Sequence, residues 1–171
     1  MTMASLVAAL VISAFSPASE STALPKVVTS EPRTTRVDAK VGEEVWLTWS
    51  GTFALSGDAR AIVTAVELLK VQPGLRVTKL KAVNQALGAP PPPAQRYMTG
   101  PLPSTYKTKA LVPVTTVVLE PGETNENVYF IARVTADKPG IYRLEGWRML
   151  YQAGLRDGES NYEHRLEFRV T

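Results

Sequence analysis

The residue types that support chemistry are sparse in this chain. Histidine occurs once, as His164, between Glu163 and Arg165 in "YEHRLEFRV". A lone imidazole makes no His-rich metal site. As a general base it needs a nucleophile and an orienting carboxylate, and nothing near it in sequence supplies them. His164 is expected to be a half-buried strand residue. Cysteine is absent, which removes thiolate nucleophiles, disulfides and Cys-type zinc sites. Asp157-Gly158-Glu159, close to Asn161, has the composition of a calcium loop. The run is too short for the alternating oxygens and late glutamate that calcium needs, and a hairpin turn has the same composition. Glu43-Glu44 and the spaced Glu120, Glu123 and Glu126 read as solvated turn residues. Neither a phosphate-cradling glycine loop nor a Gly-x-Ser-x-Gly occurs. The expectation is no enzyme, no catalytic residue, no metal site and no cofactor.

Charge is the more informative signal. The formal net charge is only +3, but it is uneven. Between Leu68 and Leu119 there are seven basic residues and no acidic one, leaving 12 basic and 16 acidic residues for the rest of the chain. The seven are Lys70, Arg76, Lys79, Lys81, Arg96, Lys107 and Lys109. A basic segment in an irregular region is a contact for anionic partners, and Tyr97, Tyr106 and the prolines add flat surface beside it. These seven are the candidate binding residues. The competing reading is a solubilising loop whose charges meet the domain's own acidic face.

The elements that must position these residues are β-strands. The chain has 171 residues, 44% of them apolar, enough for one domain that needs no covalent staple. "TTRVDAKVGEEVWLTWSG" contains two strand-like runs meeting at Gly42, with Val45, Leu47 and Trp49 sharing one face of the second. "ARAIVTAVELLKV" is β-branched and favours a strand, although Ala61 to Leu69 also fits a helix. "LRVTKLKAVNQAL" fits a helix, or a strand followed by one helical turn, with a stop at Gly88 and Pro90. "GAPPPPAQRYMTGPLPSTY" is a loop, because four successive prolines cannot sit inside a sheet. "VPVTTVVLEPGE" is a strand ending at a Pro-Gly turn. Three clear strands close the chain at Asn127–Thr135, Ile141–Tyr151 and Tyr162–Val170, with "AGLRDGESN" as a hairpin loop.

The second of these strands changes sides. Its apolar residues fall on even positions at Tyr142 and Leu144, then on odd ones at Trp147, Met149 and Tyr151. Alternate residues of a strand point to opposite faces, so one inserted residue shifts every later side chain. Gly146 stands at the change, where glycine marks a bulge. All five apolar residues then face the core, and Arg143 and Arg148 face solvent. The alternative is a strand covered on both faces.

The turn before that strand, "DKPGIY" (Asp137 to Tyr142), resembles the entry to the next-to-last strand of immunoglobulin-like sandwiches. There a tyrosine hydroxyl bonds back to the backbone of the corner. The resemblance covers roughly Thr34 to Thr171. It implies an all-β, immunoglobulin-like antiparallel β-sandwich in which Tyr142 is the corner tyrosine and Trp46 or Trp49 is a core aromatic. The Leu119-x-Pro121-Gly122 turn and the strand after it are similar to extracytoplasmic domains of bacterial surface proteins. The inter-sheet cysteine pair is missing, so the chain is not an antibody-type domain. Residues 70–110 are a basic, Pro-rich, part-helical insertion that such a sandwich does not need.

Residues 1–18 carry an apolar run from Met3 to Phe15, followed by small residues at Ser16-Pro17-Ala18 and Ser21-Thr22-Ala23. This reads as a secretory signal peptide cut after Ala18 or Ala23. A buried N-terminal element and an uncleaved anchor are the alternatives. Residues 19–33 have linker composition, and 34–171 form the sandwich. Three functions follow. The first is a non-catalytic exported sandwich that binds or assembles with a surface or extracellular protein. The second is an accessory or sensor domain that binds an anionic envelope polymer or ligand through the basic 68–119 segment. The third is an enzyme whose site is scattered in sequence. Nucleic acid is not an expected partner, and membrane contact is expected only through an uncleaved N-terminal segment.

Overall fold

Period-two apolar patterning without helical stripes produces strands, and strands bury their apolar faces by stacking two sheets. A computed structural model describes residues 27–28, 33–50, 53–56, 59–122 and 124–171. The candidate signal segment and most of the expected linker lie outside the described residues. In chain order the strands are β1 (Val27–Val28), β2 (Arg33–Ala39), β3 (Val45–Trp49), β4 (Phe53–Leu55), β5 (Ala61–Leu69), β6 (Leu75–Asn84) and β7 (Tyr97–Thr99). They continue with β8 (Leu111–Val112), β9 (Val118–Leu119), β10 (Thr124–Asn125), β11 (Val128–Ala136), β12 (Gly140–Ala153) and β13 (Arg156–Val170).

The described residues form a β-sandwich. One sheet has the order β7-β3-β11-β6-β8, the other β2-β13-β12-β5-β9, and a short β1-β4-β10 sheet closes one end. Strands β3, β6 and β11 share one sheet while β5, β12 and β13 share the other, so the chain passes back and forth between the layers as in an immunoglobulin-like sandwich. The first long strand departs from the constant-domain pattern: β2 runs parallel to β13, with His164 opposite Arg33 and Val170 opposite Ala39. Both ambiguous segments resolve as strands. Ala61–Leu69 alternates buried and exposed at its start. Leu75–Asn84 is followed by a single 3-10 turn, Gln85–Leu87, that ends in the left-handed Gly88.

The core is centred on Trp49. Its ring lies 5.8 Å from Trp147, 5.6 Å from Phe130 and 5.2 Å from Phe53, and it stacks on Tyr162 at 5.8 Å with 4° between planes. These rings come from both sheets. They bridge the layers that an antibody domain ties with a disulfide. Trp46 is buried as well, but on the opposite face of β3.

Trp147 reaches the core because β12 changes sides where the sequence predicts. Leu144 pairs with Leu166, and Gly146 with Glu163. His164 and Arg165 therefore oppose Glu145 alone. The irregularity lies at the expected place, but the extra residue belongs to β13 rather than to β12. Gly146 has a φ of 147°, and a Cβ there would lie 2.0 Å from the Tyr162 carbonyl oxygen. Glycine is thus the one residue that lets β12 switch faces while staying pressed against β13. The corner tyrosine is also present: Tyr142 donates its hydroxyl to the Lys138 carbonyl at 2.9 Å. The expected nine-residue hairpin loop is instead a tight turn at Gly154-Leu155. Pairing runs as far as Ala153 and Arg156, so Asp157, Gly158 and Glu159 stand on β13.

Two stability measurements check this account. Gly146→Ala should lower the urea-derived unfolding free energy by about 3 kcal/mol or more, because backbone rather than a flexible side chain blocks the new methyl. Tyr162→Phe should leave stability unchanged or raise it by about 1 kcal/mol. The Tyr162 hydroxyl is buried and has no hydrogen-bond partner among the described residues, and an unmet buried hydroxyl costs about that much.

Candidate functional site

The outer face of the β7-β3-β11-β6-β8 sheet is where the basic segment collects. Opposed to the core-facing Phe130, Ala132 and Val134 of β11 are Tyr129, Ile131 and Arg133. Lys81 is in register with Ile131, and Lys79 with Arg133, so both lysines project from the same outer face.

The upper half of this face is covered. The Pro-rich insertion lays Tyr106, Ala89, Met98, Leu102 and Leu111 over Trp46, Val83, Tyr129 and Ile131, forming a second apolar cluster. Polar bonds pin it. Tyr129 donates to the Pro90 carbonyl at 2.9 Å, and burial together with a hydrogen bond to Tyr106 pushes its phenol well above the ordinary value. Two 3-10 turns, Thr108–Ala110 and Val114–Thr116, carry the chain from this face across the sandwich edge to the second sheet. The expected 70–110 insertion is thus in part sheet: it contributes β6 and β7, and its helical content is two 3-10 turns, Gln85–Leu87 and Thr108–Ala110.

The seven candidate residues divide into two groups. Lys70 pairs with Glu145 at 2.5 Å and Arg76 with Asp137. Arg96 is a turn pin: it adopts a φ of 67°, donates its guanidinium to the Ser50 carbonyl, and accepts from the Thr48 amide at 2.8 Å. Lys79, Lys81, Lys107 and Lys109 have no ion pair or hydrogen bond from their side chains among the described residues. Lys79 and Lys81 stand on β6, and Lys107 and Lys109 on the insertion that lies over the same sheet face.

The acidic turn residues are only partly solvated. Glu43 accepts from the Lys40 amide at 2.8 Å. Glu44 corrects the expectation of a solvated turn residue, because Arg133 donates to it at 2.6 Å, and Arg133 also donates to the Thr78 hydroxyl at 2.7 Å. Sequence reasoning missed Arg133, whose place beside Lys79 depends on strand register alone. Glu123 lies outside the described residues.

His164 is not half-buried but 1% exposed, with its Nε2 2.8 Å from the Thr35 hydroxyl. It faces the core with Tyr162 and Leu166, while Glu163 and Arg165 face outward. No cluster of three or more His, Asp or Glu suited to a metal occurs among the described residues. Within them, no helix is long and apolar enough to cross a membrane.

The other outer face has mixed charge. Arg148 is fixed to Glu67 at 2.5 Å. Glu167 accepts from Arg143 at 3.1 Å and lies near Arg36 and Arg169. The Arg143 hydrogen bond, helped by these arginines and opposed by partial burial, holds the Glu167 carboxyl below its ordinary value. A carboxyl with a lowered folded pKa stabilises the fold above the unfolded pKa of about 4.3, and that contribution is lost as pH falls through the folded value. Glu167→Gln should therefore flatten the acid limb of the stability–pH curve below about pH 5 and leave its alkaline side unchanged. Urea midpoints measured across pH would check this.

The sequence matches no protein-family model and no curated protein. The solved structures similar at low level include these two. One is the VesB protease of Vibrio cholerae, 11% identical with a TM-score of 0.38, where the match covers 82% of this chain and 31% of that one. This chain thus spans about a third of the length of that protein. The other is AggA, the major subunit of aggregative adherence fimbriae type I from Escherichia coli, 11% identical with a TM-score of 0.21, covering 86% of this chain and 94% of that one.

Proposed function

We propose that this chain is a non-catalytic, exported β-sandwich that binds or assembles with an anionic surface or extracellular component through the outer face of the β7-β3-β11-β6-β8 sheet. One observation carries the reading. Three of the seven basic residues are bonded inside the domain, and four lysines, Lys79 and Lys81 on the outer sheet face and Lys107 and Lys109 on the segment that packs over it, are left without a partner among the described residues. The non-catalytic part is supported by His164, the chain's one imidazole, which is turned into the core against Thr35. Export is supported by the apolar Met3–Phe15 run and the small residues after it.

Exposed charge contacts act over about 30 Å at 0.01 M salt and only about 8 Å at physiological ionic strength. The protein should bind an immobilised sulfated polysaccharide at low salt and elute as salt rises. Replacing Lys79, Lys81, Lys107 and Lys109 together by Glu should abolish retention. Replacing Arg165 and Arg169 on the other sheet by Glu should change it little. Failure of the wild-type protein to bind at low salt, or equal retention of the fourfold variant, would overturn the reading.

A further inference from the structure

The two sheets are unevenly closed along the side where β5 and β6 run. Strand β6 pairs with β11 along its whole length but with β8 only at Ala82 and Val83. Strand β5 pairs outward with β9 only at Ala61 and Ile62, with one further bond from the Val63 amide to the Val117 carbonyl. From Leu75 to Lys81 the outer edge of β6 has no strand partner among the described residues. An edge of about seven residues is the length of an ordinary strand.

The side chains along this edge alternate on either side of a bulge at Thr78, which has no partner on β11, so six residues of β11 face the seven from Leu75 to Lys81. Leu75, Val77 and Leu80 are in register with Ala136, Val134 and Ala132, on the inner face. Leu75 and Leu80 pack against the core, but Val77 is 38% exposed, because nothing extends the sheet beyond it. Lys79 and Lys81 point to the outer face and have no partner there among the described residues.

We propose that this edge accepts an added strand from a partner protein: an extended segment of about seven residues with alternating apolar and acidic side chains. This rests on the function proposed above and names the partner class for the same face. Main-chain hydrogen bonds to the open edge supply affinity. Apolar side chains of the incoming strand cover Val77 and Leu80, and its carboxylates lie beside Lys79 and Lys81 as opposite-charge cross-strand pairs. The same lysines select against a second copy of this chain, because β6 paired with β6 would set cation against cation. A polysaccharide brings charge but no backbone to pair with the edge.

The test uses the full chain and a capped heptapeptide of alternating Glu and Val, read by fluorescence anisotropy and by amide hydrogen exchange. The peptide should bind and slow exchange within residues 76–81. A strand turns alternate amides to opposite sides, so N-methylation should act differently on the two sets of peptide residues. Methylating one set should weaken binding by about tenfold or more, and methylating the other by no more than about twofold. Lys79→Glu with Lys81→Glu should abolish binding of this peptide and create binding of its Lys–Val counterpart.

If both N-methylated sets bind like the parent, the contact is charge alone. Strand addition is then wrong while the anionic face stands. If the peptide fails but the sulfated polymer is retained, the partner is a polymer and the strand proposal falls. If neither binds, both readings fall together. Slow exchange, in the protein alone, of those 76–81 amides that face away from β11 would mean that a second copy or another segment of the chain already fills the edge, which also overturns the proposal.

Discussion

The packing of Trp49 against Trp147, Phe130 and Tyr162 is the constraint that the rest of the sandwich obeys. Without cysteine, no covalent link joins the two sheets, and buried aromatic area has to bridge them. Such rings bury large areas and prefer tilted or offset contacts, as found here. Their position dictates the backbone. Had β12 kept the even alternation of Tyr142 and Leu144, Trp147 would point to solvent. The switch at Gly146 turns it inward, and the close approach to Tyr162 and His164 follows from that switch. The bridge carries a cost, because the indole nitrogens of Trp49 and Trp147 are buried without a hydrogen-bond partner among the described residues.

A second, smaller apolar cluster decides which surface remains available. The insertion adds no layer of its own. Its prolines keep most of it out of the ladder, so apart from β7 it docks by side chains, with Tyr106 and Leu111 resting on Trp46 and Val83. Short strand β7 within it and β8 just after it lie at opposite edges of one sheet. The segment from Leu111 to Leu119 then crosses to β5 and closes the sandwich side only where it passes. Below that crossing, the free length of β6 and its lysines remain uncovered. The same segment that protects one half of the face exposes the other.

Charge is distributed to match. Arginines are tied to specific acceptors: Arg133 to Glu44, Arg148 to Glu67 and Arg143 to Glu167. The planar guanidinium suits such fixed contacts. The cations left without partners on the outer face of the β6 sheet are lysines, whose flexible stems and compact charge suit an edge that must repel wrong strands and meet a right one.

Local sequence was enough for the elements and several of their boundaries. Alternation identified β3, β11, β12 and β13, Gly88 ended the turn after β6, and the phase change around Gly146 located the irregularity. These are short-range effects of sterics and side-chain period, present in any window of a few residues. Long-range facts could not be read that way. Nothing in "RTTRVDA" announces a parallel pairing with β13 some 130 residues later, and a phase change in one strand does not say which of two paired strands carries the extra residue. His164 sits at an alternating position that fits either half or full burial, and only the arrival of β2 with Thr35 buries it. The seven basic residues were visible as a charge imbalance. Which of them are spent was decided by tertiary register, because a carboxylate neutralises a lysine only when the fold brings the two within about 4 Å.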